Sequence, residues 1–252
     1  KNQGADTVSH QYYMVRAKDC YETLRRIVDC SPSMYAIIFT RTKNDAQDIA
    51  KHLQRDGIDC DALHGDLSQA QRDNVMNAFR AKRLKVLVAT DVAARGLDVD
   101  CLTHVINYNL PEDVESYTHR SGRTGRAGKE GAADNILRGR KQELEMQAMS
   151  RYSRATITEI ELPTRQEIRA ERLSALKESL LARCNAEPSA DAAALAQALL
   201  AEQETSAETI LAMLLQQQID AATANIPQFD VPKPIRKGKH RGAQTVKVHI
   251  NA

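Results

Sequence analysis

Short apolar segments alternate with helical patterns over residues 12–162. A continuous apolar run such as residues 86–89 indicates a strand buried on both faces, whereas apolar positions recurring every three or four residues indicate amphipathic helices. Strands are predicted at residues 12–15, 36–39, 60–63, 86–89, 104–108 and 157–162. Helices are predicted at residues 20–30, 44–55 and 141–150, and another helix is predicted to begin at a capping box formed by Ser68 and Gln71. This alternation predicts an α/β fold with a parallel sheet flanked by helices.

Two segments fit this pattern less well. Residues 132–138 include Asp134 and Asn135 and are poor strand material, so the pattern argues against a regular strand at that edge of the sheet. Further upstream, Pro111 interrupts the chain after the strand at 104–108. Because proline suits the first turn of a helix, a short helix is predicted to start there and to run through Val114 and Tyr117.

The periodicity changes after Pro163. Apolar residues at helical spacing predict three short amphipathic helices, the first capped by Thr164 and Glu167 and the third by Thr205 and Glu208. Such helices form a thin core, so their apolar faces are expected to meet a partner. Residues 227–252 show no periodicity and contain several prolines, lysines and arginines, which predicts a disordered or extended basic tail.

The composition argues against a membrane protein and against a metal-binding protein. No apolar run approaches the roughly 20 residues that cross a bilayer, and the formal net charge is only +2. The five cysteines are scattered without Cys-x-x-Cys pairs, which indicates reduced packing residues in a cytoplasmic protein. Aromatic residues make up 4% of the chain, so a bound nucleic acid is expected to be held through sugar and phosphate rather than by stacking.

The most informative stretch is His119-Arg120-Ser121-Gly122-Arg123-Thr124-Gly125-Arg126. Glycine costs about 1 kcal/mol in a helix interior relative to alanine, so this stretch suits a basic loop or a helix end. Each arginine offers a planar fork of donors that binds phosphate oxygens, and several forks directed at one point would stabilise a transferring phosphoryl group. Taken alone, the stretch could also be a solvated basic turn.

Polar and basic residues follow three of the predicted strands. Thr90 and Asp91 follow the strand at 86–89, His64-Gly65-Asp66 follows the strand at 60–63, and Thr40-Arg41-Thr42 ends the strand at 36–39. Ligands of open α/β sheets bind outside the carboxyl ends of the strands. These residues are therefore candidates for a ligand site at one edge of the sheet.

Together, these segments resemble the second RecA-like domain of DEAD-box RNA helicases. Residues 37–42 match the family's motif IV, and His64-Gly65-Asp66 followed by Gln71-Arg72 matches motif IVa. Residues 89–98 (Ala-Thr-Asp-Val-Ala-Ala-Arg-Gly-Leu-Asp) match motif V, and residues 119–126 match motif VI. The motifs occur in the family's order and spacing over residues 7–162. Motif VI of DNA-unwinding relatives usually begins with glutamine, so the His119-Arg120 start favours the RNA branch.

The resemblance implies a role for each matching residue. Arg123 and Arg126 would reach across an interdomain cleft to the γ-phosphate of ATP, and His119 and Arg120 would couple motif VI to the first domain. The nucleotide-binding residues would be Gly96, Asp98, Arg123 and Arg126, with Asp98 on the ribose hydroxyls. The residues that would contact the RNA backbone are Arg41, Gly65, Asp66, Arg72 and Thr90.

Some of these positions have simpler explanations. Gly96 could serve a turn, and Asp66 and Asp91 could cap the helices that follow them. His64 could be a histidine with satisfied hydrogen bonds at a strand end, and Arg95 could brace motif V or motif VI.

The P-loop and the Asp-Glu-Ala-Asp run of the family do not occur in this sequence. In the family they lie on the first RecA-like domain, where they hold ATP and Mg²⁺. The resemblance therefore implies the C-terminal half of an ATP-dependent RNA helicase whose full-length form uses ATP and Mg²⁺. RNA and the N-terminal RecA-like domain would be its partners. Alone, the chain is expected neither to hydrolyse ATP nor to bind a cofactor tightly.

The predicted organisation is a second RecA-like domain at residues 1–162, a helical extension at 163–226 and the basic tail at 227–252. The extension resembles that of bacterial cold-shock DEAD-box helicases, which predicts a homodimer; the alternative is a small helical cap packed on the sheet domain. The tail could bind RNA through counterion release or serve as a linker. A non-catalytic dimerisation or RNA-binding module is the competing interpretation of the chain.

Overall fold

The computed structural model describes residues 7–31, 33–95, 97, 99, 102–126, 128–153, 155–201, 205–224 and 226. These residues form two compact units, the first within residues 7–28 and 33–162 and the second within residues 29–31 and 163–226. Three of the sequence predictions, which concern Gly96, Asp98 and the basic tail at 227–252, lie outside the described residues.

A parallel sheet forms the centre of the first unit. Its strands are β1 (Val8–Met14), β2 (Ala36–Thr40), β3 (Cys60–Leu63), β4 (Val86–Thr90), β5 (His104–Asn107), β6 (Gly131–Leu137) and β7 (Ile157–Glu159). The described residues give a seven-stranded sheet in the order β3-β4-β2-β5-β6-β1-β7, and every neighbouring pair is parallel. The predicted α/β class with a parallel sheet is therefore confirmed.

Helices cover both faces of this sheet. They are α1 (Cys20–Asp29), α2 (Lys43–Arg55), α3 (Gln69–Arg80), α4 (Asp91–Ala94), α5 (Val114–Ser121) and α6 (Arg140–Ser153). One buried cluster joins α1 and α2 to Ile38 of β2, while a second joins α3 and α4 to its neighbour Ile37. A third cluster joins α5 and α6 to Tyr12 and Leu137. Successive strand residues thus face opposite helical layers, which explains the continuous apolar runs.

Helix ends follow the local signals in the sequence. Two of the three predicted caps are confirmed: Ser68 and Gln71 cap α3, and Thr164 and Glu167 cap the first helix after residue 163. The start of α5 differs from the prediction, because Asp113 is its N-cap and accepts a hydrogen bond from the Ser116 amide at 2.6 Å. The Asp113 carboxylate therefore marks the start of the helix, and Pro111 lies two residues before this cap.

The expectation against a regular strand at residues 132–138 is wrong. β6 lies inside the sheet, between β5 and β1. Its polar side chains have partners on both neighbours: Gln11 Nε2 donates to Asp134 Oδ1 at 2.6 Å, and Asn107 Nδ2 donates to Asn135 Oδ1 at 2.9 Å. Cross-strand hydrogen bonds satisfy Asp134 Oδ1 and Asn135 Oδ1, whereas Asp134 Oδ2 is buried without a hydrogen-bond partner in the described structure. With these partners, the strand tolerates residues that local strand propensity disfavours.

Asp134 is expected to make the folding stability of the first unit depend on pH. Burial raises the pKa of its carboxyl above the ordinary value of 3.8, although His104 and two hydrogen bonds oppose this shift. With a raised pKa, the folded state holds a proton that the unfolded state has released, so stability falls as pH rises from 3.8 through the raised pKa. In urea unfolding, Asp134→Asn should flatten this dependence and stabilise the protein at neutral pH. Parallel pH profiles for the two proteins would contradict the expectation.

The second unit contains α7 (Arg165–Arg183), α8 (Ala190–Ala201) and α9 (Ala207–Thr223). Arg172 of α7 donates to the Ala222 carbonyl of α9 at 2.9 Å. The predicted cap of the third helix is displaced by one residue, because Ser206 accepts the Thr209 amide at 3.2 Å. α8 and α9 contain no buried residue, and none of the described helices combines the length and apolar character needed to span a membrane.

Candidate functional site

The candidate residues meet at the carboxyl edge of the sheet. β3, β4, β2 and β5 are consecutive parallel strands, so the residues that follow them lie side by side. This edge carries His64-Gly65-Asp66 after β3, Thr90 at the end of β4, Arg41 after β2 and Asn109 beyond β5. The first unit therefore presents one continuous polar edge.

Arg120 is the buried centre of this edge, with only 4% of the residue exposed. Its Nε and Nη2 donate to the two carboxylate oxygens of Asp91 at 2.7 and 2.6 Å. Its Nη1 donates to Asn107 Oδ1 at 2.7 Å and to the Asn109 carbonyl at 2.9 Å, and the guanidinium lies 4.8 Å from the centre of the Phe39 ring. Arg120 thereby fixes the end of α5 to the ends of β4 and β5, which gives it a positioning role within this unit.

The capping alternative is wrong for both aspartates that followed strands. α4 begins at Asp91 itself, with Thr90 as N-cap, and the Asp91 carboxylate binds Arg120. α3 is capped by Ser68, while Asp66 lies two residues earlier and forms an ion pair with Lys43, whose Nζ is 2.7 Å from Asp66 Oδ2. The hydrogen bond from Lys43 lowers the pKa of the Asp66 carboxyl, which keeps it ionised at the exposed edge.

Arg123 and Arg126 follow the C-terminal end of α5. Arg123 is half-buried, and its Nη1 donates to the Leu97 carbonyl at 2.6 Å. Arg126 is exposed, and its Nε donates to the Gly122 carbonyl at 2.8 Å. Arg123 thus touches the backbone of the segment that includes Gly96 and Asp98, two positions outside the described residues. Neither guanidinium is sealed beneath the sheet.

Gly125 shapes the loop between these arginines. Its φ is +68°, and a Cβ at this position would lie 2.3 Å from Val8 Cγ2. The preceding Thr124 hydroxyl donates to the Leu102 carbonyl at 2.5 Å. A left-handed residue packed directly on β1 therefore has to be glycine, and it fixes the course of the chain into Arg126.

Gly125→Ala should destabilise the first unit more than Gly128→Ala. Both glycines have positive φ, but a Cβ at Gly128 would meet nothing within 4 Å. The backbone strain of about 1–2 kcal/mol is common to the two variants, so the difference in their urea-unfolding free energies reports the contacts of the new Cβ with Val8 and Thr7. Equal destabilisation would show that the loop moves away from β1 without cost.

His119 and His64 lie in different environments. The His119 side chain is 73% exposed, with Nε2 3.5 Å from Glu115 Oε1 one turn earlier. His64 is buried, and its Nε2 lies 3.0 Å from Gln47 Oε1, whereas its Nδ1 is buried without a hydrogen-bond partner in the described structure. The satisfied-histidine alternative for His64 therefore holds for one ring nitrogen.

Most of the remaining predicted RNA-contact residues are exposed, and one is hydrogen-bonded within the protein. Gly65 is exposed, and a Cβ there would meet nothing within 4 Å. Arg41 has an exposed side chain, while its amide donates to Asn109 Oδ1 at 3.1 Å. Arg72 is half-buried and donates to the Ala93 carbonyl at 3.2 Å, where it holds the C-terminal end of α4. Arg95 is exposed at the C-cap of α4.

Comparison with known proteins identifies the family. Residues 19–128 match the helicase conserved C-terminal domain. The structure of the C-terminal domain of the DEAD-box protein Dbp5 is 30% identical, with a TM-score of 0.60, and the match covers 67% of this chain and 97% of that domain. The chain belongs to the DEAD-box family. It carries the helicase C-terminal domain, with the RecA-like fold.

Two bacterial DEAD-box relatives set the scale of the match. The ATP-dependent RNA helicase DeaD of Mycobacterium tuberculosis is 41% identical over 180 residues, which are 71% of this chain and 31% of DeaD. The ATP-dependent RNA helicase CshA of Listeria monocytogenes is 34% identical over 239 residues, which are 94% of this chain and 46% of CshA. The chain thus spans less than half the length of these relatives.

Some site residues of this DEAD-box domain were not predicted from the sequence. They are Lys43, Asn107, Asn109 and Gly125. The rule that polar residues gather at strand ends would have indicated Asn107 and Asn109 if it had also been applied to β5.

No group of three or more histidine, cysteine, aspartate or glutamate side chains in the described part of the chain could hold a metal ion.

Proposed function

We propose that this chain is the C-terminal half of an ATP-dependent RNA helicase, to which it supplies arginines for the ATP site and contacts for the RNA backbone. The observation that carries the proposal is the position of Arg126, exposed on a loop whose base is anchored by the ion pair of buried Arg120 with Asp91. A planar guanidinium held at an exposed edge suits a phosphate supplied from outside the domain.

The ATP side of the edge consists of Arg123, Arg126 and the segment they adjoin. Arg126 would bind the γ-phosphate directly, and Arg123 would exchange its bond to the Leu97 carbonyl for a phosphate oxygen. Gly96 and Asp98 would approach the nucleotide, with Asp98 on the ribose. Mg²⁺ would accompany ATP and neutralise charge on its phosphates, and His119 would meet the first domain.

The RNA side consists of the strand ends further along the same edge. Gly65 leaves room for a phosphate or a sugar to approach the backbone, since nothing in the described structure lies where its Cβ would be. Thr90, at the end of the adjacent strand β4, and then Arg41, after β2, follow it along the edge. The Lys43–Asp66 pair and Arg72 hold the adjacent helices in place. Contacts of this kind position an RNA strand without reading its bases, and 2′-hydroxyl contacts distinguish it from DNA.

ATP and RNA would then be coupled through domain closure. Each ligand contacts two RecA-like domains, so each favours the closed state and raises the affinity for the other. Closure would bring Arg126 to the γ-phosphate and bend the RNA strand, which separates a short duplex. Hydrolysis would release the closed state.

The test is to join this chain to the first RecA-like domain, in one polypeptide or as separate chains. RNA-stimulated ATP hydrolysis is expected from the combination and not from this chain alone. DNA of the same sequence should stimulate less than RNA. If the combination binds ATP and RNA but RNA does not stimulate hydrolysis, the proposed function is wrong.

A second candidate function, a dimerisation module, is favoured by the apolar surface of the second unit. Its exposed large apolar residues are Leu181, Leu195, Leu199, Leu200, Leu211, Met213 and Leu214. Solvent contact with this much apolar surface is unfavourable, and a second copy of the helices would cover it. Light scattering at micromolar protein should give a dimer mass. Leu211→Glu with Leu214→Glu should give a monomer, while Lys177→Glu on exposed α7 surface should leave the dimer intact. A wild-type monomer mass would instead support a helical cap.

A further inference from the structure

A second basic surface lies at the amino ends of the strands, at the opposite edge of the sheet from the carboxyl edge that forms the candidate site. It is the turn from α3 to β4, residues 80–85, called here the basic turn. Its four cationic residues are exposed, and none forms an ion pair within the part of the chain that the structure describes; they are Arg80, Lys82, Arg83 and Lys85. Because β4 runs from this turn to Thr90, one strand of about 17 Å separates the two edges.

Lys82 occupies a position where glycine is ordinarily favoured. Its φ is +56°, and among the described residues no other non-glycine residue has positive φ. The Lys82 amide donates to the Phe79 carbonyl at 2.8 Å, and the Arg83 amide donates to the Ala78 carbonyl at 3.0 Å, so the two residues close the C-terminal end of α3. A side chain in this conformation costs about 1–2 kcal/mol.

Stability does not account for this lysine. A cation near a helix C-terminus gains about 0.3–1 kcal/mol from the helix dipole, which at most offsets the cost of the backbone conformation. Its Nζ lies 6.0 Å from the Tyr35 ring centre, at the outer limit of a cation–π contact. Replacing Lys82 with glycine should therefore leave folding intact, and the charge of this residue is free to serve binding.

The chemistry of the basic turn favours a polyanion over a protein partner. Leu84 is half-buried, so the turn presents no exposed large apolar residue that could form the core of a protein interface. Asp59 adjoins the turn, since the Lys85 amide donates to its carbonyl at 2.8 Å, and its single carboxylate is fewer than the four cations of the turn. Positive and polar surfaces of this kind are typical of nucleic-acid interfaces.

We propose that the basic turn is a second RNA-contact surface, which binds backbone phosphates of an RNA segment outside the cleft. The proposal rests on the proposed function, because RNA is its ligand. A short single strand that fills the carboxyl edge would not reach the turn. A structured RNA with a duplex arm beside the single-stranded segment would contact both edges, so the turn would favour structured RNA over an isolated strand.

The experiment uses a double variant of the full-length protein that carries both Lys82→Gly and Arg83→Gln, called here the basic-turn variant. Its matched control is a second double variant, with Lys51→Gln and Lys177→Gln, which removes two exposed charges elsewhere. Two probes are used: an RNA hairpin with a single-stranded extension, and a short single strand of about six nucleotides, close to the lower site sizes of single-strand binders. Binding is measured between about 50 and 200 mM salt, the range in which phosphate contacts dominate affinity.

The basic-turn variant should bind the hairpin more weakly than wild type, with a salt slope smaller by about two, because each lost phosphate contact lowers the slope by about one. Its hydrolysis stimulated by the short strand should match wild type, and the control variant should match wild type with both probes. An unchanged slope and affinity for the hairpin would overturn the proposal and leave an acidic protein as the turn's partner. Hairpin binding is measured independently of ATP hydrolysis. If the wild-type protein binds the hairpin but RNA does not stimulate its hydrolysis, only the proposed function is overturned.

Discussion

Replacing Arg126 with alanine in the full-length protein should lower RNA-stimulated ATP hydrolysis by about 10³-fold or more, the range seen for arginines supplied to phosphoryl-transfer sites. RNA affinity should change far less, because the proposed function assigns Arg126 to the ATP and not to the RNA. The side chain is exposed, so folding should be unaffected. Steady-state ATPase kinetics and equilibrium RNA binding, measured on the same preparation, separate the two effects.

The matched control is Lys129→Ala, which removes one exposed cation from the segment that follows the same loop. It should leave hydrolysis close to wild type. Arg126→Lys keeps the charge but loses the planar fork, so it should recover only part of the activity. A parallel loss of hydrolysis and RNA affinity in Arg126→Ala would show that the arginine organises the whole edge rather than acting on phosphate.

The sheet could be predicted from the sequence where burial alone determines the residues. β2 and β4 read as continuous apolar runs because their side chains fill both helical layers. Capping boxes gave the first residues of α3 and α7 because the signal lies within four consecutive residues. These are local properties, so local patterns report them.

β6 could not be predicted in this way, since its stability depends on distant residues. Asp134 is hydrogen-bonded by Gln11, which is 123 positions away in the chain, and Asn135 by Asn107. A local window shows only polar residues with poor strand propensity. The partners become visible only when the order of the strands is known.

The position of the candidate site could be predicted from the sequence, but the hydrogen bonds and ion pairs among its residues could not. The strand-end rule brought Arg41, Gly65, Asp66 and Thr90 to one edge, as found. Nothing in the motif distinguishes the arginine that points inward from those that do not, because Arg120, Arg123 and Arg126 share one residue type and a regular spacing. Burial separates them: Arg120 is enclosed, Arg123 is half-buried and Arg126 is exposed. Their ligand contacts stay predictions.

Arg120→Ala should be the most destabilising single change at this edge, at about 3 kcal/mol, the lower end of the range for breaking a buried charge pair. The lower end applies because the Asp91 side chain is 46% exposed and water can replace part of the lost contact. The variant also leaves the buried Asn107 Oδ1 and the Asn109 carbonyl without their shared donor. Urea unfolding of the full chain should show a lower midpoint with an unchanged slope.

Two companion variants separate the charge pair from the hydrogen bonds. Arg120→Lys keeps a positive charge but cannot serve both Asp91 oxygens and Asn107 at once, so it should recover less than half of the loss. Asn107→Ala removes the Arg120 acceptor and also the donor to buried Asn135 Oδ1, but it leaves the pair with Asp91, so it should cost about 1–3 kcal/mol. If Arg120→Ala is no more destabilising than Arg126→Ala, whose side chain is exposed, the Arg120–Asp91 pair does not hold motif VI in place. Arg126 would then owe its position to Gly125 and the backbone of the loop alone.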